Sequence, residues 1–100
     1  MAAQLSALPM QELGILCSLY HVRELSVFGS SARGDAGPGS DIDLLVEFMP
    51  DATPGFLALS RLQRDLSELL QRPVDLVPKG GLKPAIRRQV LAEAQIVYAQ

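Results

Sequence analysis

The sequence predicts an α/β fold in which a short mixed β-sheet is covered by helices on one main face. Three observations predict it. "DIDLLVEF" alternates acidic and apolar positions and then turns apolar, as a strand with a buried face does. "TPGFLALSRLQRDLSELLQ" repeats apolar residues, mostly leucine, at mostly three- and four-residue spacing, the mark of an amphipathic helix. Segments of these two kinds interleave along the chain with no internal repeat and no visible linker, which favours packed layers of sheet and helix.

Taken in order, Leu5, Leu8, Leu13, Leu16, Cys17 and Tyr20 form an approximately helical stripe. Pro9 is tolerated only near a helix start, so the first helix should run from about Pro9 to Tyr20, with His21 marking its end. "ELSVFG" reads as a short buried strand stopped by Gly29. "SSARGDAGPGS" is too rich in glycine and small polar residues for a long element, but its first part allows one helical turn with Ser30 near the cap. "DIDLLVEF" is the clearest strand and must end before Pro50. Thr53 as N-cap and Pro54 at the first helical position should open the next helix. Its apolar face is Phe56, Leu59, Leu62, Leu66, Leu69 and Leu70. "VDLV", between Pro73 and Pro78, is a short strand, and Gly80-Gly81 a turn. "KPAIRRQVLAEA" is a second amphipathic helix built on Ile86, Val90, Leu91 and Ala94, and "QIVYA" closes the order as an edge strand.

A chain of 100 residues is expected to form one domain over 1–100. It can bury a core but has little surface for a deep cleft, which leaves room for a partner subunit that completes the site or covers apolar surface. Nine basic and 11 acidic residues give a net charge of -2, which argues against a broad basic face for nucleic acid. One phosphorylated substrate remains compatible with that charge if the site carries a metal. Cys17 is the only cysteine, so neither an intramolecular disulfide nor a cysteine metal cluster can form, and its neighbours make it a core thiol. "MAAQLSALPM" lacks the basic and apolar regions of a signal peptide, and no apolar run reaches membrane-spanning length. The expected location is the cytoplasm.

The stretch "VFGSSARGDAGPGSDIDLLVEF" carries the chemistry. Side chains alternate along a strand, so Asp41 and Asp43 share one face while Ile42 and Leu44 enter the other. Two such carboxylates repel each other, and partial burial makes this worse unless a cation sits between them. Mg²⁺ suits the place, because it takes hard oxygen ligands and is completed by substrate phosphates. Asp75 repeats the pattern between Val74 and Leu76. If its strand lies beside "DIDLL", three carboxylates converge and can hold one metal beside a second, as in two-metal phosphoryl chemistry. Asp75, if within proton-transfer reach, is the natural base for an attacking hydroxyl. Gly29 turns the chain directly off the first strand, and Ser30 adds a hydroxyl beside free backbone N–H groups, a nest for outer phosphates. Arg33 can meet the same phosphates with its forked guanidinium. Neither a GxGxxG fingerprint nor the Gly-Lys-Ser/Thr ending of a P-loop is present.

In these residues the sequence resembles the minimal nucleotidyltransferases of the polymerase-beta superfamily. Their signature is Gly-Ser, ten residues, then Asp-x-Asp, and Gly29-Ser30 followed by Asp41-Ile42-Asp43 satisfies it. The continuation "GSxARG" brings in Arg33 and Gly34, and the family's third acidic residue, on a later strand, matches Asp75. The resemblance implies that Gly29, Ser30 and Arg33 bind the triphosphate of ATP. It also implies that Asp41, Asp43 and Asp75 hold Mg²⁺ and form the catalytic triad.

Proteins of this kind are commonly antitoxins paired with small helical HEPN-type ribonuclease toxins, in a hetero-oligomer, and move AMP from ATP onto a toxin tyrosine. Two other functions stay open on the sequence. One is a binding antitoxin that neutralises its partner by occlusion. The other is nucleotidyl transfer to a small hydroxylated molecule.

Overall fold

The computed structural model describes residues 9–33 and 41–100. The elements are α1 (Met10–Leu19), β1 (Val22–Phe28), a five-residue α2 (Gly29–Arg33), β2 (Ile42–Phe48), α3 (Phe56–Leu70), β3 (Val74–Pro78), a 3₁₀ turn (Lys79–Gly81), α4 (Pro84–Glu93) and β4 (Gln95–Ala99). The expectations on Leu5, Leu8 and Gly34 fall outside the described residues.

The four strands of the described residues form one sheet in the order β3-β2-β1-β4. β1 is antiparallel to both β2 and β4, whereas β2 and β3 run parallel, so the sheet is mixed. A parallel neighbour needs a crossover, and α3 supplies it. "QIVYA" is an edge strand, as its sequence indicated.

One face of the sheet carries the main core. Leu13 and Cys17 of α1 and Leu62 and Leu66 of α3 pack against Leu25, Val27, Ile42, Leu44, Val46, Val74 and Leu76. A register shift between Val22 and Glu24 lets Val22 join Leu25 and Val27 on this face, although simple alternation would separate them. Tyr20 links the two covering helices by donating its hydroxyl to Asp65 Oδ2 at 2.7 Å. His21 ends α1 in a left-handed conformation with φ 59°, and Gln71 ends α3 likewise with φ 55°.

Two expectations for α3 need correction. The helix begins at Phe56 with Gly55, in extended conformation, as its N-cap, while Thr53 and Pro54 lie before the helix. Phe56 is 80% exposed, and core packing starts one turn later at Leu59. Helical side chains tilt toward the N-terminus, so a residue in the first turn points past the helix end instead of down onto the sheet.

The opposite face holds a smaller cluster, Leu45 with Leu82 and Val90, flanked by Phe28 and Val77. Here α4 departs from expectation. Only Val90 of its stripe is buried, and Ile86 and Leu91 are exposed. Much of this sheet face is occupied by charged groups, which leaves α4 a small apolar footprint.

Candidate functional site

The charged groups on that second face fall at its two ends. Glu24 and Glu47 face each other across β1 and β2, an unfavourable pairing of like charges. Lys79 answers it, placing Nζ 3.6 Å from one carboxylate oxygen of each. At the other end, Asp43 and Asp75 are register partners across the parallel β2–β3 pair. Adjacent strands lie about 4.8 Å apart, so two carboxylates project side by side. Asp43 is half-buried and Asp75 exposed, while Ile42, Leu44, Val74 and Leu76 are buried in the main core.

Asp41 lies one residue before β2 and is exposed. The structure therefore brings Asp43 and Asp75 together and leaves Asp41 on the approach to them. Among the described residues, no group of three His, Cys, Asp or Glu side chains is arranged to hold a metal ion. The donor chemistry of the Asp43–Asp75 pair nevertheless fits Mg²⁺, which is commonly held by one or two carboxylates and completed by water and phosphate.

The turn expected to hold phosphate abuts this pair. Phe28 is the register partner of Asp43 on β1, so Gly29, the next residue, stands beside the Asp43 side chain. Its φ is 69°, and a β-carbon there would run into the Asp43 carboxylate, with Cγ only 3.3 Å away. Glycine meets both demands. Ser30, half-buried, follows in α2, whose first-turn N–H groups have no partners within the helix. Arg33 closes α2, but the placement of its side chain lies outside the described residues. A contact absent from the sequence reading ties α2 down: Gln95 Nε2, at the start of β4, donates to the Ala32 carbonyl at 3.1 Å.

Polar residues of α3 make a second unanticipated set of contacts. The Val74 amide donates to Ser67 Oγ at 3.0 Å, and the Leu76 amide to Gln63 Oε1 at 2.9 Å. Ser67 Oγ in turn donates to the Gln63 carbonyl at 2.9 Å. Gln63 and Ser67 stand four residues apart beside the leucine stripe, a spacing that puts both on one side of the helix.

The nucleotidyltransferase domain family matches residues 10–97. The chain belongs to that family. Among curated relatives, it is similar to the protein adenylyltransferase MntA of Thermococcus cleftensis, 44% identical over 79% of this chain and 76% of the relative. Among solved structures, it is similar to one of a toxin–antitoxin with AMP-PNP, with a TM-score of 0.75 and 23% identity over 93% of this chain and 75% of that one. It is also similar to a structure of a tri-AMPylated Shewanella oneidensis HEPN toxin in complex with MNT antitoxin. There the TM-score is 0.66 and the identity 20%, over 91% of this chain and 70% of that one. These two likenesses establish the fold. Within it, the paired aspartates beside a glycine turn occupy the polar face of the sheet, opposite the main core.

Outside the site, Cys17 is fully buried, and burial pushes its thiol up from 9.0 to about 11. That is a core thiol, as the sequence indicated. Among the described residues, no helix is long and apolar enough to cross a membrane.

Proposed function

We propose that this chain is a Mg²⁺-dependent protein adenylyltransferase that transfers AMP from ATP to a tyrosine of a HEPN-type toxin partner, and so acts as its antitoxin. The observation that carries the reading is the register pairing of Asp43 with Asp75 directly beside the Gly29 turn. The similarity to a protein adenylyltransferase supports the reaction. Likeness to antitoxins seen with AMP-PNP and with an AMPylated HEPN toxin supports the donor and the partner.

In this reading Gly29, Ser30 and Arg33 bind the triphosphate, and Asp41, Asp43 and Asp75 are the metal ligands. When bound, Mg²⁺ supplies charge neutralisation at the phosphates. The phosphate-binding turn orients the α-phosphate toward the carboxylates. Asp75, the exposed member of the pair, accepts the proton from the tyrosine Oη as that oxygen bonds to the α-phosphorus. The α–β phosphoanhydride bond breaks and pyrophosphate leaves. Because ATP is supplied there, the cytoplasm is the proposed setting, and 1–100 the working domain. Exposed Phe56 and Leu57, at 80% and 72%, offer apolar surface for a protein partner to cover.

The test is intact mass spectrometry of a HEPN-type protein that forms a complex with this chain, after incubation with the chain, ATP and Mg²⁺. Addition of one or more adenylyl groups to tyrosine supports the reading. An unmodified protein under conditions where the two form a complex defeats it.

A further inference from the structure

Among the described residues, β3 is an edge strand, paired only with β2. The outward N–H groups of such a strand ordinarily meet water and leave it free to twist or slip. A slip of one residue would carry Asp75 to the opposite face and destroy its pairing with Asp43. In this chain both amides that flank Asp75 go to side chains of α3. Val74 N–H donates to Ser67 Oγ and Leu76 N–H to Gln63 Oε1. The Ser67 hydroxyl is engaged on both sides, because it also donates to the Gln63 carbonyl. All three bonds are partly buried, and they lie next to the main-core leucines Leu62 and Leu66 of the same helix.

We infer that Ser67 and Gln63 are positioning residues: they clamp β3 on either side of Asp75 and hold its carboxylate opposite that of Asp43. This rests on the adenylyltransferase reading for the role of Asp75. Val74 and Leu76 carry the outward-facing amides of β3, so a clamp on this edge falls on either side of Asp75. A contact serving only to blunt the edge would leave turnover untouched once the fold is intact. Holding two reacting groups in register is where small displacements are costly, and here the strand's own ladder secures only one side.

The experiment compares Ser67→Ala and Gln63→Met, which remove the acceptors, with Ser67→Thr, which keeps the hydroxyl. Leu13→Val, a core change on α1, serves as a stability control. Adenylyl transfer from ATP with Mg²⁺ to the HEPN-type partner protein is followed below the melting temperature of every variant. Ser67→Ala and Gln63→Met should each lower kcat by about tenfold, the scale of a sub-ångström misplacement. KM for ATP should stay within about twofold, because the phosphate turn sits on α2, away from the clamp. Ser67→Thr should restore kcat, and Leu13→Val should keep it while losing comparable thermal stability. Amide hydrogen exchange at Val74 and Leu76 should accelerate in the two clamp-breaking variants and not in Ser67→Thr. If Ser67→Ala and Gln63→Met turn over like Leu13→Val, or Ser67→Thr fails to rescue, the clamp is structural only and the inference falls. If the wild type itself transfers nothing, the adenylyltransferase reading fails first and takes the inference with it.

Discussion

Gly29 and Asp43 share one space: any side chain at position 29 would intrude on the Asp43 carboxylate. The glycine also holds φ 69°, which costs other residues roughly 1–2 kcal/mol. Gly29→Ala should therefore displace the carboxylate and lower adenylyl transfer at least tenfold. A loss of about 1 kcal/mol would also reduce Tm by roughly 4–8 °C in a domain of this size. Gly80→Ala, where an added β-carbon meets nothing within 4 Å, is the control and should do neither. Full transfer by Gly29→Ala would show that the close approach has no bearing on function.

Leu62 and Phe56 lie on the same helix with opposite fates. Leu62 is completely buried among Leu13, Leu66 and the strand residues, whereas Phe56 is 80% exposed. Leu62→Ala should destabilise the fold by about 2–5 kcal/mol, combining lost burial with a cavity. Phe56→Ser should change stability by less than about 0.5 kcal/mol, as a surface substitution does. Urea unfolding measures both. Equal effects would mean that α3 presents a different face to the sheet.

These contrasts bear on what the sequence could tell. Alternation in "DIDLLVEF" and "VDLV" made both strands legible, and a carboxylate at matching positions in each made their pairing a natural guess. The Gly29 turn was legible because only a special backbone needs Gly-Ser where a strand ends. The start of α3 was not, since Pro54 suits a first helical position and an extended approach equally well. The Ile86–Leu91 stripe of α4 misled for a different reason. What it could bury depended on the polarity of a sheet face assembled from β1, β2 and β3, which no local pattern contains. Nothing in the sequence around Ser67 and Gln63 marks them out, and only the position of β3 makes them acceptors.

Burial holds the Cys17 thiol near 11, above the 9.0 of an exposed thiol, and this gives a pH prediction. The folded state keeps the proton that the unfolded chain releases. The stabilising contribution is thus complete below about 9.0 and is lost as pH rises toward about 11. Stability measured against pH should fall more steeply over that window in wild type than in Cys17→Ala, which removes this one group. A thiol reagent at pH 8 should label Cys17 only on the timescale of unfolding. Rapid labelling of the native protein would contradict the burial.

The last prediction separates catalysis from occlusion. Asp41→Asn combined with Asp43→Asn removes two carboxylates proposed as metal ligands without changing side-chain size. The main core is built from the opposite face, by Ile42, Leu44 and Val46, so the fold should persist. Relief of repulsion between Asp43 and Asp75 should offset part of any loss, leaving stability within about 1 kcal/mol of wild type. Adenylyl transfer should fall at least a hundredfold, because phosphates and carboxylates can no longer share a cation. Two measurements decide the case together: the mass of the partner after incubation, and survival of cells that express the partner toxin. An enzyme antitoxin predicts an unmodified partner and loss of protection in the double variant. If the double variant forms the complex and protects cells as well as wild type while no modified partner accumulates, neutralisation proceeds by binding. Exposed surfaces such as Phe56 and Leu57 would then be the part of the molecule that protects the cell. Transfer confined to small hydroxylated molecules would instead keep the site chemistry and replace the acceptor.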